Sequence, residues 1–165
     1  MTDNALGSYQ PRPPRFRGSA VTSRYITMRD GVRLAATITL PGNLPAGERL
    51  PVLLTQTRYW RALELKSPFS SFLTPDILNL AHRKHKPLLL GQGYALVTVD
   101  VRGTGASFGV WQHPWDAASV ADAADIVDWL AAQPWCNGSI IGAGGSYLGT
   151  TAELLPAAQR AAIKA

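Results

Sequence analysis

The stretch Gly142-Ala143-Gly144-Gly145-Ser146-Tyr147-Leu148-Gly149 holds the residues best suited to do chemistry in this chain. It lies where a short apolar run ends and a helical pattern begins. A serine at the tip of a tight strand-to-helix turn has its Oγ lifted clear of the sheet edge, where it can attack an acyl carbon. Such a turn crowds its neighbours, so small residues are needed two positions before the serine and shortly after it. Gly144 and Gly145 meet the first need; Leu148 stands where G-x-S-x-G places its last glycine, and Gly149 follows one position later. A helix opening at Ser146 points free N–H groups and its positive dipole end at the reacting centre. The Tyr147 N–H is then a donor to an acyl oxygen that turns negative. Ser146 is the candidate nucleophile and Tyr147 the candidate backbone oxyanion donor.

Two other readings of the stretch stay open on local grounds. A glycine-rich loop after a strand can bind a pyrophosphate, although Tyr147 stands where the third small residue of that fingerprint belongs. The glycines can also serve a tight turn with no catalytic part. A second such loop, Arg102-Gly103-Thr104-Gly105-Ala106-Ser107-Phe108-Gly109, also follows an apolar run, and Pro114 argues against a helix opening directly on it.

The elements that must position these loops read as an α/β layer. Arg24–Arg29 and Val32–Leu40 alternate around Asp30-Gly31, a strong hairpin signal, and predict an antiparallel pair with one wetter face. Val52–Gln56, Ala95–Val99 and the weaker Ser139–Ala143 are continuous apolar runs that suit parallel strands covered on both faces. Helices are expected between them. One starts at Thr74-Pro75-Asp76, breaks at Pro87 and resumes through three leucines before Gly91. The clearer one spans Asp116–Ala132, with Val120, Ala124, Val127 and Leu130 on its packed side and Asp122, Asp125 and Asp128 falling elsewhere. A hairpin followed by alternating strands and helices implies right-handed crossovers. Residues 1–22, rich in Arg and Pro, read as a flexible arm, with the domain occupying 23–165.

Taken in order, four stretches resemble the Xaa-Pro dipeptidyl-peptidase/cocaine esterase-type hydrolases, a branch of the α/β-hydrolase fold. Tyr25–Leu34 is similar to their opening hairpin. Gly93–Ser107 is similar to a strand and its following loop, and Asp128-Trp129-Leu130 with Trp135-Cys136-Asn137-Gly138 to the approach to the nucleophile strand. Gly144-Gly145-Ser146-Tyr147-Leu148-Gly149 matches the family's own G-x-S-Y-x-G elbow, which accounts for the displaced glycine. The resemblance implies the N-terminal half of an α/β-hydrolase sheet and hydrolysis of an ester or a short peptide. It also implies a second oxyanion donor, a tyrosine hydroxyl just after the third strand. Tyr59 is the match, although Arg58 precedes it where the family reads Pro.

A serine nucleophile needs a base, itself oriented by an acid. In this fold both follow the serine in sequence. The nineteen residues after Ser146 contain Glu153 and no histidine, and Glu153 lies two turns along the same helix. His82 and His85 fall in a basic cluster; His113 lies in the loop after the fourth strand, on the same side of the sheet as the elbow. Asp100, ending a strand, suits an ion pair or turn. The tail Arg160–Ala165 reads as the start of a further strand. The expectation is an incomplete, inactive N-terminal half of a longer hydrolase, its apolar strand edge at 139–143 uncovered. The alternative is a non-catalytic domain that binds small molecules or assembles with a partner chain.

Composition narrows the remaining classes. The chain has 165 residues, 46% hydrophobic and 16% charged, with mean hydropathy −0.01, as in an ordinary globular domain. No apolar run approaches membrane-spanning length, and the first twenty residues hold no signal-peptide core. The lone Cys136 cannot form an internal disulfide, which agrees with a reducing, cytoplasmic setting. The net charge of +5 gathers in residues 12–33 and at His82–Lys86 without aromatic interleaving, so it reads as solvated surface rather than a nucleic-acid site. Neither the motif nor the resemblance calls for a cofactor or a metal.

Overall fold

The computed structural model describes residues 12–59, 61 and 85–164. Five strands form one sheet in the order β1-β2-β4-β3-β5. The strands are β1 (Ser19–Thr27), β2 (Arg33–Pro41), β3 (Leu50–Thr57), β4 (Ala95–Asp100) and β5 (Cys136–Gly142). Pairing is antiparallel for β1–β2 and β2–β4 and parallel for β4–β3 and β3–β5. The expected α/β architecture, a hairpin leading into parallel strands, is therefore present.

The hairpin closes as its sequence dictates. Gly31 takes φ +82°, the Val32 carbonyl accepts from Met28 N–H at 2.8 Å, and Asp30 Oδ1 accepts from Val32 N–H at 3.1 Å. Its two strands differ more than their alternation suggests. β1 is an edge strand with Ile26 as its buried residue, whereas β2 lies between β1 and β4 and is buried along most of its length. Strand structure also begins at Ser19, earlier than the sequence boundary at 23. The preceding residues are anchored because Phe16 is buried in the core, and the Arg15 and Phe16 N–H groups both donate to the Gly91 carbonyl. The Arg- and Pro-rich composition of the segment hid that apolar anchor. Residues 1–11 of the arm lie outside the described residues, as does the helix start at Thr74.

The helical stretch expected through the three leucines is present: α1 runs Lys86–Gly91 with Pro87 in its first turn, where its missing N–H costs nothing, and the stretch at 62–84 before it lies outside the described residues. The long helix α2 spans Ala117–Ala131, capped by Asp116, whose carboxylate accepts from Ser119 N–H at 2.7 Å. Ile126, Val127 and Leu130 are essentially inaccessible and pack with Val52, Leu54, Val97, Val99 and Ile140 in one apolar cluster. Burial of each such side chain stabilises the fold by about 1.5–3 kcal/mol.

The aspartates of α2 do not point to open solvent as a group. Asp122 is buried and takes a two-pronged hydrogen bond from Arg102, at 2.9 and 2.6 Å, while the same guanidinium reaches Asp30 at 2.7 Å. Asp125 pairs with Arg29 at 2.6 Å and Asp128 with Arg160 at 2.7 Å. Spaced three apart, the carboxylates tie α2 to the loop after β4, to the hairpin and to the C-terminal turn. Apolar periodicity cannot show this, because it assigns every charge to the wet side. Part of the arginine surplus is therefore engaged within the molecule.

The helix α3 (Tyr147–Leu154) follows β5 and runs into a 3-10 turn at Leu155–Ala158. Beyond it the chain returns to β5: Ile140 N–H donates to the Ala162 carbonyl at 2.7 Å, Lys164 N–H donates to the Ile140 carbonyl at 2.9 Å, and Ile163 forms a parallel bridge with Ile140. Strand-like pairing on the outer side of β5 thus begins in the tail, where the sequence suggested a further strand.

Candidate functional site

The parallel strands β4, β3 and β5 end at one edge of the sheet, with Thr57 level with Asp100 and Leu54 level with Gly142. The chain segments leaving that edge carry Arg58-Tyr59, the glycine loop 102–109 and the elbow 143–147. In open α/β sheets, ligands bind at this end of the strands.

The elbow is built by close packing. Ala143 N–H still donates to the Leu54 carbonyl at 2.9 Å, and Thr55 Oγ1 donates to the Ala143 carbonyl at 3.0 Å, so the strand is held until its last residue. The chain then turns. A Cβ on Gly144 would sit 2.6 Å from the Leu148 carbonyl carbon, and one on Gly142 would sit 2.9 Å from the Ala152 Cα. Helix α3 therefore presses directly on the turn it follows. Thr151 Oγ1 secures it from below, its one proton shared between the Leu148 carbonyl at 2.8 Å and the Gln56 carbonyl at 3.1 Å. Gly145 is different, since a Cβ there would meet nothing within 4 Å.

Ser146 absorbs the turn in its backbone, with φ +56° and ψ −128°. A residue bearing a Cβ holds such a conformation only when its surroundings impose it, and residues of this kind gather at functional sites. Ser146 is exposed and precedes the first turn of α3, where Thr150 N–H is the donor to the Ser146 carbonyl at 3.0 Å. The N–H groups of Tyr147, Leu148 and Gly149 precede that first helical bond and so have no acceptor within the helix. An anion near Ser146 would meet them.

Tyr147 sends its side chain the other way, into the protein. Its ring stacks on Trp115 with centroids 5.3 Å apart and meets Tyr59 edge-on at 6.1 Å. Burial pushes its phenol up from the ordinary tyrosine range, opposed by the nearby Trp111 indole and the Arg58 charge. Beneath the ring lies a cavity of about 20 Å³, lined by Gln56, Ser119, Thr151, Val120 and others. That is room for about one water.

Tyr59 lies at the mouth, 47% exposed, with its backbone N–H donating to Thr57 Oγ1 at 2.9 Å. Three of the residues singled out from the sequence, Ser146, Tyr147 and Tyr59, therefore belong to one corner of the fold. Arg58 joins them. Its guanidinium carbon lies 5.3 Å from the Tyr59 and Tyr147 ring centres and 5.7 Å from the Trp111 ring centre. Trp111 and Trp115 were not singled out from the sequence. Their signal was present in two tryptophans flanking Pro114 just after a glycine loop, but an aromatic pair in a loop reads as packing until its neighbours are known. Trp115, like Ser146, holds a positive φ, +59°.

The second glycine loop does structural work at the same edge. Asp100 is buried and accepts from Arg61 Nε at 3.3 Å and from Ala106 N–H at 3.0 Å. Arg61 also donates to Thr37 Oγ1. The ion pair and the turn expected of Asp100 both occur, with Arg61 as the partner. Ser107 Oγ donates to the Asp100 carbonyl at 2.6 Å and accepts from Ala35 N–H at 2.8 Å, locking the loop onto the sheet. No helix opens on it, and α2 starts only at Ala117.

The other groups weighed as base or acid make no hydrogen bond with Ser146 among the described residues. His113 is exposed, with a ring nitrogen 3.2 Å from the Pro114 carbonyl. Glu153 is exposed on α3. His85 precedes α1, and His82 lies outside the described residues. Among the described residues, no group of three or more His, Cys, Asp or Glu side chains is placed to hold a metal ion, and no helix is long and apolar enough to cross a membrane.

Comparison with known proteins places this corner in context. A candidate serine esterase of Mycobacterium bovis is 46% identical over 153 residues, which are 92% of this chain and 24% of that protein. The cocaine esterase of a Rhodococcus species is 34% identical over 134 residues, 81% of this chain and 20% of that protein. The chain thus spans about a quarter or less of the length of these relatives. A solved hydrolase of the CocE/NonD family from Staphylococcus aureus superimposes with a TM-score of 0.67 at 22% identity, covering 87% of this chain and 26% of its own. An α-amino acid ester hydrolase gives 0.64 at 27% identity, covering 99% and 27%. With residues 30–165 also matching the profile of the X-Pro dipeptidyl-peptidase family S15, the chain belongs to that family of hydrolases.

Proposed function

We propose that this chain supplies the nucleophile and oxyanion half of a serine hydrolase acting on ester or amide bonds. The observation that carries the reading is the positive φ of Ser146, a residue bearing a Cβ, at the mouth of α3, in a turn where Gly144 leaves no room for a side chain beside Leu148. In the proposed reaction Ser146 Oγ attacks the acyl carbon and gives its proton to a base. The carbonyl oxygen, now negative, accepts from the Tyr147 N–H and the Tyr59 hydroxyl. Collapse expels the alcohol or amine with a proton from that base, and water then releases the acid by the same route. One such donor contributes about 2.7–4 kcal/mol to lowering the barrier in enzymes of this kind.

The base and its orienting acid are assigned to polypeptide beyond these 165 residues. After Ser146 the sequence offers Glu153 and no histidine, and Glu153 is exposed on the helix. The substrate class, an ester or an Xaa-Pro peptide, belongs to the same proposal. The second reading is a non-catalytic domain that binds small molecules or assembles with a partner chain; the isolated bridge of Ile163 to Ile140 leaves the rest of the outer side of β5 for such a partner.

A fluorophosphonate probe separates the two. The chain alone is expected to label weakly or not at all. Mixed with a polypeptide matching the remainder of the mycobacterial relative, it should label at Ser146, and Ser146→Ala should abolish the signal. Absence of labelling from a complex that forms would sink acyl transfer and leave assembly.

A further inference from the structure

Arg58 is the cation at this corner that the proposed reaction does not use. It is exposed and, like Arg33 over Tyr25 and Phe108, it has no carboxylate partner among the described residues; unlike Arg33, it lies at the edge that carries the elbow. Its guanidinium is nevertheless held in place, close to the rings of Tyr59, Trp111 and Tyr147. Aromatic faces fix a guanidinium plane through its π-electrons and leave its edge of N–H donors unused. That edge is the part that recognises a carboxylate, through two parallel hydrogen bonds.

The position is built, not incidental. Arg58 and Tyr59 leave β3 immediately after Thr57, which is anchored by Val101 N–H donating to the Thr57 carbonyl at 2.8 Å. Trp111 is set by the glycine loop, where a Cβ on Gly103 would strike the Trp111 backbone nitrogen. Tyr147 is the residue next to the candidate nucleophile. The three rings thus come from three separate segments, and each is fixed by its own backbone contacts.

We propose that Arg58 forms a carboxylate-binding subsite beside Ser146, selecting substrates that carry a negative charge near the scissile bond. This rests on the reading of Ser146 as the nucleophile only for its consequence in catalysis; the binding itself does not need an activated serine. Arg58 is linked to the elbow through the ring of Tyr147, the residue that follows Ser146, 5.3 Å from its guanidinium carbon. The subsite refines substrate choice at a position where the family resemblance supplies proline rather than arginine.

The test is equilibrium binding to the 165-residue chain, read from the fluorescence of Trp111 and Trp115 near the subsite. Monomethyl succinate is compared with methyl butyrate, a neutral ester of similar size, and with methyl 4-aminobutyrate, a cationic one. The anionic ester should bind at least about tenfold more tightly than the neutral one. Arg58→Met should erase that difference and leave the neutral ester unchanged. Arg58→Lys, which keeps the charge and loses the fork, should retain only part of it. Equal affinity for the anionic and neutral esters, no binding of either, or a preference that survives Arg58→Met overturns the proposal. Labelling of Ser146 by the fluorophosphonate is scored separately. That labelling is read on the complex with the remaining polypeptide: labelling there without anion preference removes the subsite alone, and anion preference without labelling of that complex removes the nucleophile alone.

Discussion

Two glycine-rich turns follow parallel strands at the same edge of the sheet, and they are built for opposite ends. The loop 102–109 closes: Gly103 and Gly105 take positive φ, the buried Asp100 carboxylate fills the space where a Gly105 side chain would stand, and Ser107 ties the loop back to β2. The turn 143–147 opens: Gly144, with Gly142 just before the turn, lets α3 pack tightly from behind, and the strained residue at its tip is an exposed serine. In the first loop left-handed backbone falls on glycine, where it costs little. In the second it falls on Ser146, where it costs about 1–3 kcal/mol. A glycine count does not separate the two; the identity of the residue that bears the strain does.

The closed loop should be the less forgiving. Gly103→Ala puts a methyl group against the backbone of Trp111, which cannot rotate away, and adds the penalty of a positive φ. A loss of about 3 kcal/mol in unfolding free energy is expected from the two effects together. Urea denaturation followed by circular dichroism checks it, and a loss under 1 kcal/mol would mean that the loop is not locked as described. Such a variant should also disturb the Trp111 ring beside Arg58.

Within the open turn the two glycines before the serine should part company. Gly144→Ala drives a methyl group into Leu148 and should cost about 2 kcal/mol by overpacking. Gly145→Ala meets nothing, and its φ is not positive among the described residues, so it should be neutral or stabilising by about 0.5 kcal/mol. Equal losses at both positions would show that the turn needs glycine for flexibility rather than for space.

The sequence was informative where chemistry and local geometry coincide. Asp30-Gly31 encodes its own turn, the apolar runs encode covered strands, and the elbow announces itself because only small residues fit behind an incoming helix. It was less informative where a residue's meaning depends on distant partners. Asp122 reads as solvent-facing until Arg102, twenty residues away, is brought against it. Phe16 looks like part of an arm until the Gly91 carbonyl captures its backbone. Arg58 reads as a departure from a family pattern until three rings from three segments surround it. Periodicity reports which face a residue takes on its own element. It does not report what arrives there from elsewhere.

The smallest expected effect bears most directly on the difference between the two turns. If Ser146 is strained because its surroundings demand a positive φ, glycine should relieve that strain and alanine should not. Ser146→Gly gains back the strain energy but adds freedom to the unfolded chain, a cost of about 0.4–1 kcal/mol. The expected net is a protein more stable than Ser146→Ala by about 1 kcal/mol, measured as a shift in the urea midpoint at unchanged slope. Neither variant should label with the fluorophosphonate. A stability gain coupled to loss of the reactive hydroxyl is what a functional site held against its local preference should give. Equal stability of the two variants would place Ser146 in an ordinary turn, and the open loop would then differ from the closed one in exposure alone.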